Sequence, residues 1–592
     1  MKLDTGFRKF QQIFSGHYPY SSMLIRVPFI LLMALAVSLP FELIAPLWTI
    51  GPLSITNVEL ALFLTLAFAA ASLLQSRGKW AWPDRYWLWL LPFGGGLLLS
   101  ALLAPQLQAN ALKASLRLIF GILLALAALQ IMRRPGDGRA VSVALLAGGL
   151  AAALIGWWEI SQSELAWMSL FRTHITRVGS ILRLTGAFDY ANQAAIFMEA
   201  TLPFLVTITW SVSAQSIPPR FKIPLLALLF SLTLFYLQAI ILTLSRAGAA
   251  TVIVVCLVLT ILLAVRQTAA NRKMAAWWLG VAMVTAVLIV ANALLSAQIR
   301  LRLQGGNVDD WYRAQIIAPP TLEMVAGATV DAAVVVTNEG ALAWRSQGEN
   351  PISLGARLLN EEGTQAYSEL RWPFPGSVNP QETVHMIAPL TAPLTPGIYE
   401  LRWDVVHENV TWFGSKSGLY ATSLVTVLPG AGPIDRPQPE TFGMSEQAAW
   451  DYVGPVPGRA TLWSLALQMI GERPLLGIGM DNFRLTYGER LGNPNYDNTV
   501  HTNNFYLEII VAMGIIGAFP FIVWAGALLL DVLRTLRRPD QTMWSAAFAA
   551  GLLTFFIHGF FDFFLLFNAT GLLFWLLTAL WVNEKKNHAH RI

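Results

Sequence analysis

The residues of this chain best suited to chemistry are cations and polar groups set at the edges of apolar runs. Arg183 opens RLTGAFDYAN, Arg246 sits in LSRAG between two such runs, Arg459 opens RATLWSLALQMIGERPLLGIG, and Lys113 and Arg117 lie one helical turn apart in a fourth place. A guanidinium is a planar fork that binds two phosphate oxygens at once, so several converging on one face suit a diphosphate. The plainer use of a lone cation at a helix end is to snorkel its charge to lipid headgroups. His558 and Asp562 are spaced i, i+4, which on a helix puts them on one face and lets the carboxylate fix the imidazole tautomer and raise its basicity. A structural helix-end interaction fits the same spacing. Asn192 and Glu199 lie at and inside the apolar run that follows Arg183, where a buried polar group seeks a protein partner.

The elements that must hold these groups are dictated by composition. The chain has 592 residues, 55% hydrophobic and 13% charged, with a mean hydropathy of +0.53. Soluble domains carry about 25% charged residues, so an ordinary soluble enzyme, a disordered chain and a disulfide scaffold are excluded. Cys256 is the only cysteine, which rules out an intramolecular disulfide and a thiolate metal cluster. A run needs about 20 residues to cross roughly 30 Å of hydrocarbon, and about twelve fit: near 27–47, 52–74, 86–104, 112–132, 141–160, 192–213, 223–244, 247–265, 275–297, 505–533, 543–563 and 565–582. The first has too long an apolar stretch and too mixed a leader for a cleaved signal peptide, so it is expected to stay in the mature chain.

If the amino terminus is cytoplasmic, Lys2, Arg26, Arg77, Arg85, Arg133, Arg134, Arg220, Arg266, Arg272, Arg534, Arg537, Lys585 and Arg591 all fall on the cytoplasmic side, as the positive-inside rule requires. The expected layout is a cytoplasmic segment 1–26, helices one to nine over 27–297, a large extracytoplasmic loop over 298–504, helices ten to twelve over 505–582 and a cytoplasmic tail 583–592. This describes a multi-pass protein of the cytoplasmic (inner) membrane. The net charge of +5 lies mostly on the cytoplasmic turns, so membrane lipids and not nucleic acid are the expected partners.

Within the large loop the long apolar runs stop. Short strands are expected at 329–337, 352–359, 366–372, 382–387, 397–407 and 420–427, with Pro/Gly turns between them, which reads as an antiparallel β-sandwich. VVVTNEGALAW, PGIYELRWDVV and VTWF resemble an immunoglobulin-like module over 315–430. The fold class is therefore an all-α polytopic membrane protein with an inserted all-β immunoglobulin-like sandwich. Trp344, Trp403 and Trp412 are expected to pack its core, with a sugar-stacking platform as the alternative.

The order RLTGAFDYANQAAIFMEATLPF, LTLSRAG, GRATLWSLALQMIGERPLLGIGMDNF, HTNNFYLEIIVAMGIIG resembles the O-antigen ligase and O-antigen polymerase superfamily of membrane glycosyltransferases. The resemblance spans most of 110–580, the β module excepted, and makes 455–504 the loop that brings catalytic groups back to the membrane. It implies transfer of a glycan from a polyprenyl diphosphate carrier to an acceptor hydroxyl on the outer face, with no nucleotide sugar, metal or other cofactor. Arg183, Arg246 and Arg459 fall on the arginines that would hold and neutralise the diphosphate leaving group. The family's histidine, counted back from Gly514-Ile-Ile-Gly517, falls on Asn503, beside Asn504, while His501 stands two residues earlier. An amide cannot serve as a base and a neutral imidazole can, so His501 is the expected base. A loop-orienting role for it, or a carboxylate base at Asp481 or Glu508, is the alternative. Lys113, Arg117, Asn192, Glu199, Asp481, Asn503, Asn504, His558 and Asp562 are the expected groups around diphosphate and glycan.

A direct displacement from the face opposite the leaving group implies inversion at the anomeric carbon. The acceptor is a second glycan, a lipid or a protein. A ligase passes a finished glycan to a different acceptor, a polymerase joins carrier-linked units, and the sequence does not separate them. A lipid-linked glycan transporter is the non-enzymatic rival; against it, there is no evident internal repeat and no pair of Gly/Pro-broken spans. Gly94-Gly95-Gly96 lacks the Lys-Ser/Thr of a phosphate loop and reads as close helix packing.

Overall fold

A computed structural model describes residues 26–50, 53–76, 83–162, 166–172, 177–178, 181–265, 268–303, 311–347, 351–360, 369–408, 411–430, 457–492 and 496–589. The expected cytoplasmic segment 1–26 and the end of the tail lie almost wholly outside these residues. The helices are α1 Val27–Ser38, α2 Asn57–Ser76, α3 Leu90–Leu102, α4 Gln108–Ile131, α5 Asp137–Gln162, α6 Ala191–Ala214, α7 Pro219–Leu242, α8 Arg246–Ala264, α9 Ala269–Leu295, α10 Ala297–Leu303, α11 Arg459–Glu472, α12 Phe505–Leu536, α13 Met543–His558 and α14 Asn568–Ala589. Apolar runs become helices because lipid offers no hydrogen-bond partner and a helix satisfies its backbone internally.

Among the described residues, eight helices are long and apolar enough to cross a membrane: α2, α4 to α9 and α12. The sequence led to an expectation of about twelve spans, and the difference lies in the shorter elements. The first run was expected to reach residue 47, but α1 stops at Ser38, ahead of Pro40, and the chain turns into a hairpin of β1 Trp48–Ile50 and β2 Leu53–Ile55. α13 likewise ends at His558 instead of running to 563. A second small hairpin, β3 Arg177–Val178 and β4 Ile181–Leu182, precedes Arg183.

One long helix is broken. At Gly514 in α12 the backbone takes φ 60° and ψ −172°, and the segment 474–479 lies across the break. The nitrogens of Ile515 and Ile516 donate to the carbonyls of Pro474 and Leu475 at 2.7 and 3.1 Å; those of Ile478 and Gly479 donate to Val511 and Ala512 at 3.1 and 2.8 Å. A Cβ on Gly514 would lie 2.3 Å from the Leu475 carbonyl carbon. The freed backbone groups of the break are thus taken up by protein, the condition under which irregular backbone is tolerated at membrane depth. Close packing is borne out at Gly96, whose added Cβ would sit 2.8 Å from Gly517 Cα, but Gly94 and Gly95 face open space.

The β-rich part holds β5 Ala314–Ile317, β6 Thr321–Val325, β7 Thr329–Asn338, β8 Ile352–Leu359, β9 Leu370–Pro373, β10 Thr383–Thr391, β11 Gly397–His407, β12 Thr411–Trp412 and β13 Ala421–Leu428. One sheet runs β10-β7-β5, the other β6-β13-β11-β8-β9 with β12 beside β11. β6 pairs parallel to β13, so the second sheet is mixed where an all-antiparallel one was expected. Val334, Val336 and Ala388 of the first sheet share a core with Leu354, Leu401, Trp403 and Val425 of the second. Trp344 and Trp403 are fully buried, which removes them as sugar platforms. Trp412 is half-buried, and the guanidiniums of Arg357 and Arg371 stand 3.9 and 4.4 Å from its ring centre. The same core takes in Leu244, beside Arg246, and Ile299 of α10, which seats the sheets on the α7–α8 turn.

Candidate active site

Three of the arginines read from the sequence gather with a fourth that was not. Arg183 precedes α6 and is held at both ends of its fork: Nε donates to the Thr243 carbonyl at 2.7 Å and Nη2 to Asn192 Oδ1 at 2.9 Å. Burial, with Arg302 adding to it and Asp562 opposing, pushes its pKa down to about 9, which still leaves it charged at neutral pH. Arg246 is the first residue of α8, whose N-terminus Ser245 caps by accepting from the Gly248 amide at 3.2 Å. That helix end adds its own positive pole. Leu244, at the start of this turn, has φ +52°. Arg302 donates from Nε to the Leu244 carbonyl at 3.3 Å and lines one small cavity with Arg246. Arg459, at the start of α11, donates to the Phe561 carbonyl at 3.0 Å and lies within electrostatic reach of Arg246 and Asp562.

A second cluster surrounds His501. Its Nδ1 lies 3.4 Å from Glu508 Oε1, and its Nε2 lies 3.8 Å from Asp481 Oδ1. The ring is buried against Phe563 and Phe567, with centroids 5.1 and 5.8 Å away. Burial alone would lower the imidazole pKa, but the carboxylates of Glu508 and Asp481 outweigh it and hold it above its ordinary value. Glu508 also accepts from the Thr502 amide at 2.9 Å, and Asp481 is gripped by Arg484 through two bonds of 2.7 Å. Asn110 adds a third donor to Asp481, at 3.2 Å. Asn504 caps α12, accepting from the amides of Tyr506 and Leu507 at 3.0 Å each. Asp481 and Asn503 both take positive φ, 69° and 51°, a conformation that Asn and Asp tolerate better than most side chains.

The turn between α13 and α14 joins the two clusters. Its carbonyls receive the Phe505 amide at Gly559, Asn504 at Phe560, Arg459 at Phe561 and Arg117 at Leu566. Its Phe563 and Phe567 cover His501, and its Asp562 interacts with Arg183 and Arg459.

Not every expected group joins. Arg117 pairs with Glu59 at 3.0 Å and meets the α13–α14 turn at the Leu566 carbonyl, 3.3 Å away, and Lys113 reaches Ser54 at 3.4 Å, partners outside the arginine cluster. The expected His558–Asp562 pairing on one helix face is corrected, because α13 ends at His558 and Asp562 lies past the helix. Asp562 Oδ1 accepts from its neighbour Phe563 at 2.8 Å, while His558 Nδ1 lies 2.9 Å from Glu199 Oε2. Arg302 and Arg484 were missed. Arg484 carries a local signal, three residues after Asp481; Arg302 has none, since only the fold brings α10 to Arg183.

No curated protein matches the chain. Among solved structures it is similar to the CARDB domain of the PF1109 protein from Pyrococcus furiosus, at 20% identity and TM-score 0.13, covering 19% of this chain and 85% of that one. It is also similar to a PapD-like domain of human CEP192, at 13% identity and TM-score 0.12, covering 21% of this chain and 89% of that one. A family model described as O-antigen ligase matches residues 412–522, which take in α11, the segment crossing the helix break, the His501 loop and the first half of α12. The chain is thus a mostly helical protein with several apolar helices suited to multiple membrane crossings, whose residues 412–522 match the O-antigen ligase family model.

Proposed function

We propose that this protein is a membrane glycosyltransferase of the outer face of the cytoplasmic membrane, moving a glycan from a polyprenyl diphosphate carrier to an acceptor hydroxyl. The observation that carries the reading is the meeting of Arg183, Arg246, Arg302 and Arg459 on one side of the α13–α14 turn with His501, Glu508 and Asp481 on the other. As the bond between the anomeric carbon and the diphosphate oxygen breaks, its electron pair stays on the diphosphate. Fixed guanidiniums stabilise that growing charge more than the ground state, which is what accelerates the step. His501 takes the proton of the acceptor hydroxyl as the new glycosidic bond forms, and Glu508 steadies the imidazolium that results. The product carries the inverted configuration.

The experiment is incubation of the purified full chain in vesicles with a polyprenyl diphosphate glycan and candidate acceptors, followed by mass analysis. Wild type is expected to form a new glycosidic bond, and Arg246→Ala to slow it about 10²–10³-fold, as loss of one donor to developing charge does. A product joined to a second carrier-linked glycan identifies a polymerase, and one joined to a different acceptor identifies a ligase. Movement of donor across the vesicle with no new bond would replace this reading with transport. The β-sheet part is assigned, as an immunoglobulin-like module, to the same outer face.

A further inference from the structure

The proposed transfer chemistry makes no use of the pair Glu199–His558, yet both side chains are completely buried among apolar helices, 0% exposed. Glu199 lies in the third turn of α6 and His558 is the last residue of α13, with Nδ1 and Oε2 2.9 Å apart. The second oxygen, Glu199 Oε1, faces α8: a Cβ built on Gly248 would stand 2.5 Å from it. That glycine, two residues after Arg246, is what lets the carboxylate reach the helix. Glu199 therefore touches α6, α8 and α13 at one point.

Each of these helices anchors one arginine of the cluster. α6 carries Asn192, two turns before Glu199 on the same face, and Asn192 holds Arg183. α8 begins at Arg246. The Phe561 amide donates to the His558 carbonyl at 2.8 Å, so the turn whose Phe561 carbonyl receives Arg459 is built on the end of α13. Among the described residues, Glu199 Oε1, His558 Nε2 and the nearby α8 hydroxyl of Thr251 have no hydrogen-bond partner. Buried ionisable groups with unmet polar atoms are costly in lipid, and a pin serving stability alone would be better made of packed apolar side chains.

We propose that Glu199, held by His558 and admitted by Gly248, is a positioning residue that sets the spacing of Arg183, Arg246 and Arg459 around the donor diphosphate. This rests on the diphosphate reading given above. The geometry of the carboxylate matters here more than its charge, so an amide that keeps the hydrogen bond keeps the function.

The test is the dissociation constant of farnesyl diphosphate, a soluble probe carrying an isoprenyl diphosphate, for the detergent-solubilised full chain and its variants. Arg246→Ala checks the diphosphate reading: if wild type does not bind, or Arg246→Ala binds equally well, that reading fails first. With that control in order, Glu199→Ala and Gly248→Ala are expected to bind at least about tenfold more weakly, and Glu199→Gln within about twofold of wild type. General destabilisation is controlled by Gly121→Ala, which crowds Trp575 between α4 and α14 at 2.4 Å; it lowers the melting temperature and leaves the affinity of the folded protein unchanged. Wild-type affinity in Glu199→Ala, or equal weakening in Glu199→Gln and Glu199→Ala, overturns the proposal.

Discussion

At the scale of single residues, the two clusters divide the labour by charge. In the proposed transfer, guanidiniums collect where anionic charge would develop, and the carboxylates of Glu508 and Asp481 collect around His501, the proposed base. The second arrangement makes a pH prediction. Glu508 and Asp481 hold the His501 pKa above its ordinary value, so at low pH the ring is protonated and cannot act as a base, and the transfer rate should climb as pH rises through that raised pKa. Glu508→Gln removes the larger of the two carboxylate effects and should shift the rising limb of the rate profile to lower pH. A profile that stays in place in Glu508→Gln, or full activity in His501→Ala, would move the base to another group. The histidine could be singled out from the sequence because an imidazole two residues from Asn503 is conspicuous. Glu508 was legible there only as an alternative base; that it partners His501 was not, since it is brought to the ring by the cap that Asn504 builds at the start of α12.

At the scale of elements, the break in α12 sets the geometry of the second cluster. Gly514 takes a backbone conformation open only to glycine, and the segment crossing the break runs on directly into Asp481. Any side chain at 514 bears about 1–3 kcal/mol of backbone strain and collides with the Leu475 carbonyl carbon at 2.3 Å. Gly514→Ala is expected to separate Asp481 from His501 and abolish transfer, while Ala at Gly94, which faces open space, is tolerated; product yield normalised to folded protein distinguishes them. The Gly-x-x-Gly spacing was visible in the sequence, but its use was not, because nothing local shows that residues 474–479, some 35 positions earlier, would lie across the helix at that point. The ends of α1 and α13 were misjudged because apolarity marks a run that can enter lipid and not where a helix stops; α1 ends at Ser38, ahead of Pro40, and α13 at His558.

At the scale of the whole molecule, the β sheets are coupled to the arginine cluster through a shared core. Leu244 and Ile299 pack into that core, and they flank Arg246 and Arg302. Replacing residues 311–430 with a flexible linker is therefore expected to weaken farnesyl diphosphate binding as well as to alter acceptor choice; unchanged affinity and rate would reduce the module to a spacer. The sequence by itself determined the solvent, the helical frame, the polar insertion with most of its strands, and three of the four clustered arginines. Those follow from composition, run length and side-chain type, which are local properties. Tertiary structure alone decided that Arg302 completes the cluster, that Glu508 serves His501, that Arg117 and Lys113 turn to other partners, and that Glu199 replaces Asp562 as the companion of His558. Apart from Glu508, which lies seven residues from His501, each of these is a contact between elements far apart in the chain, chosen by helix packing and by the need of buried charges for partners, and spacing along the sequence carries no record of it.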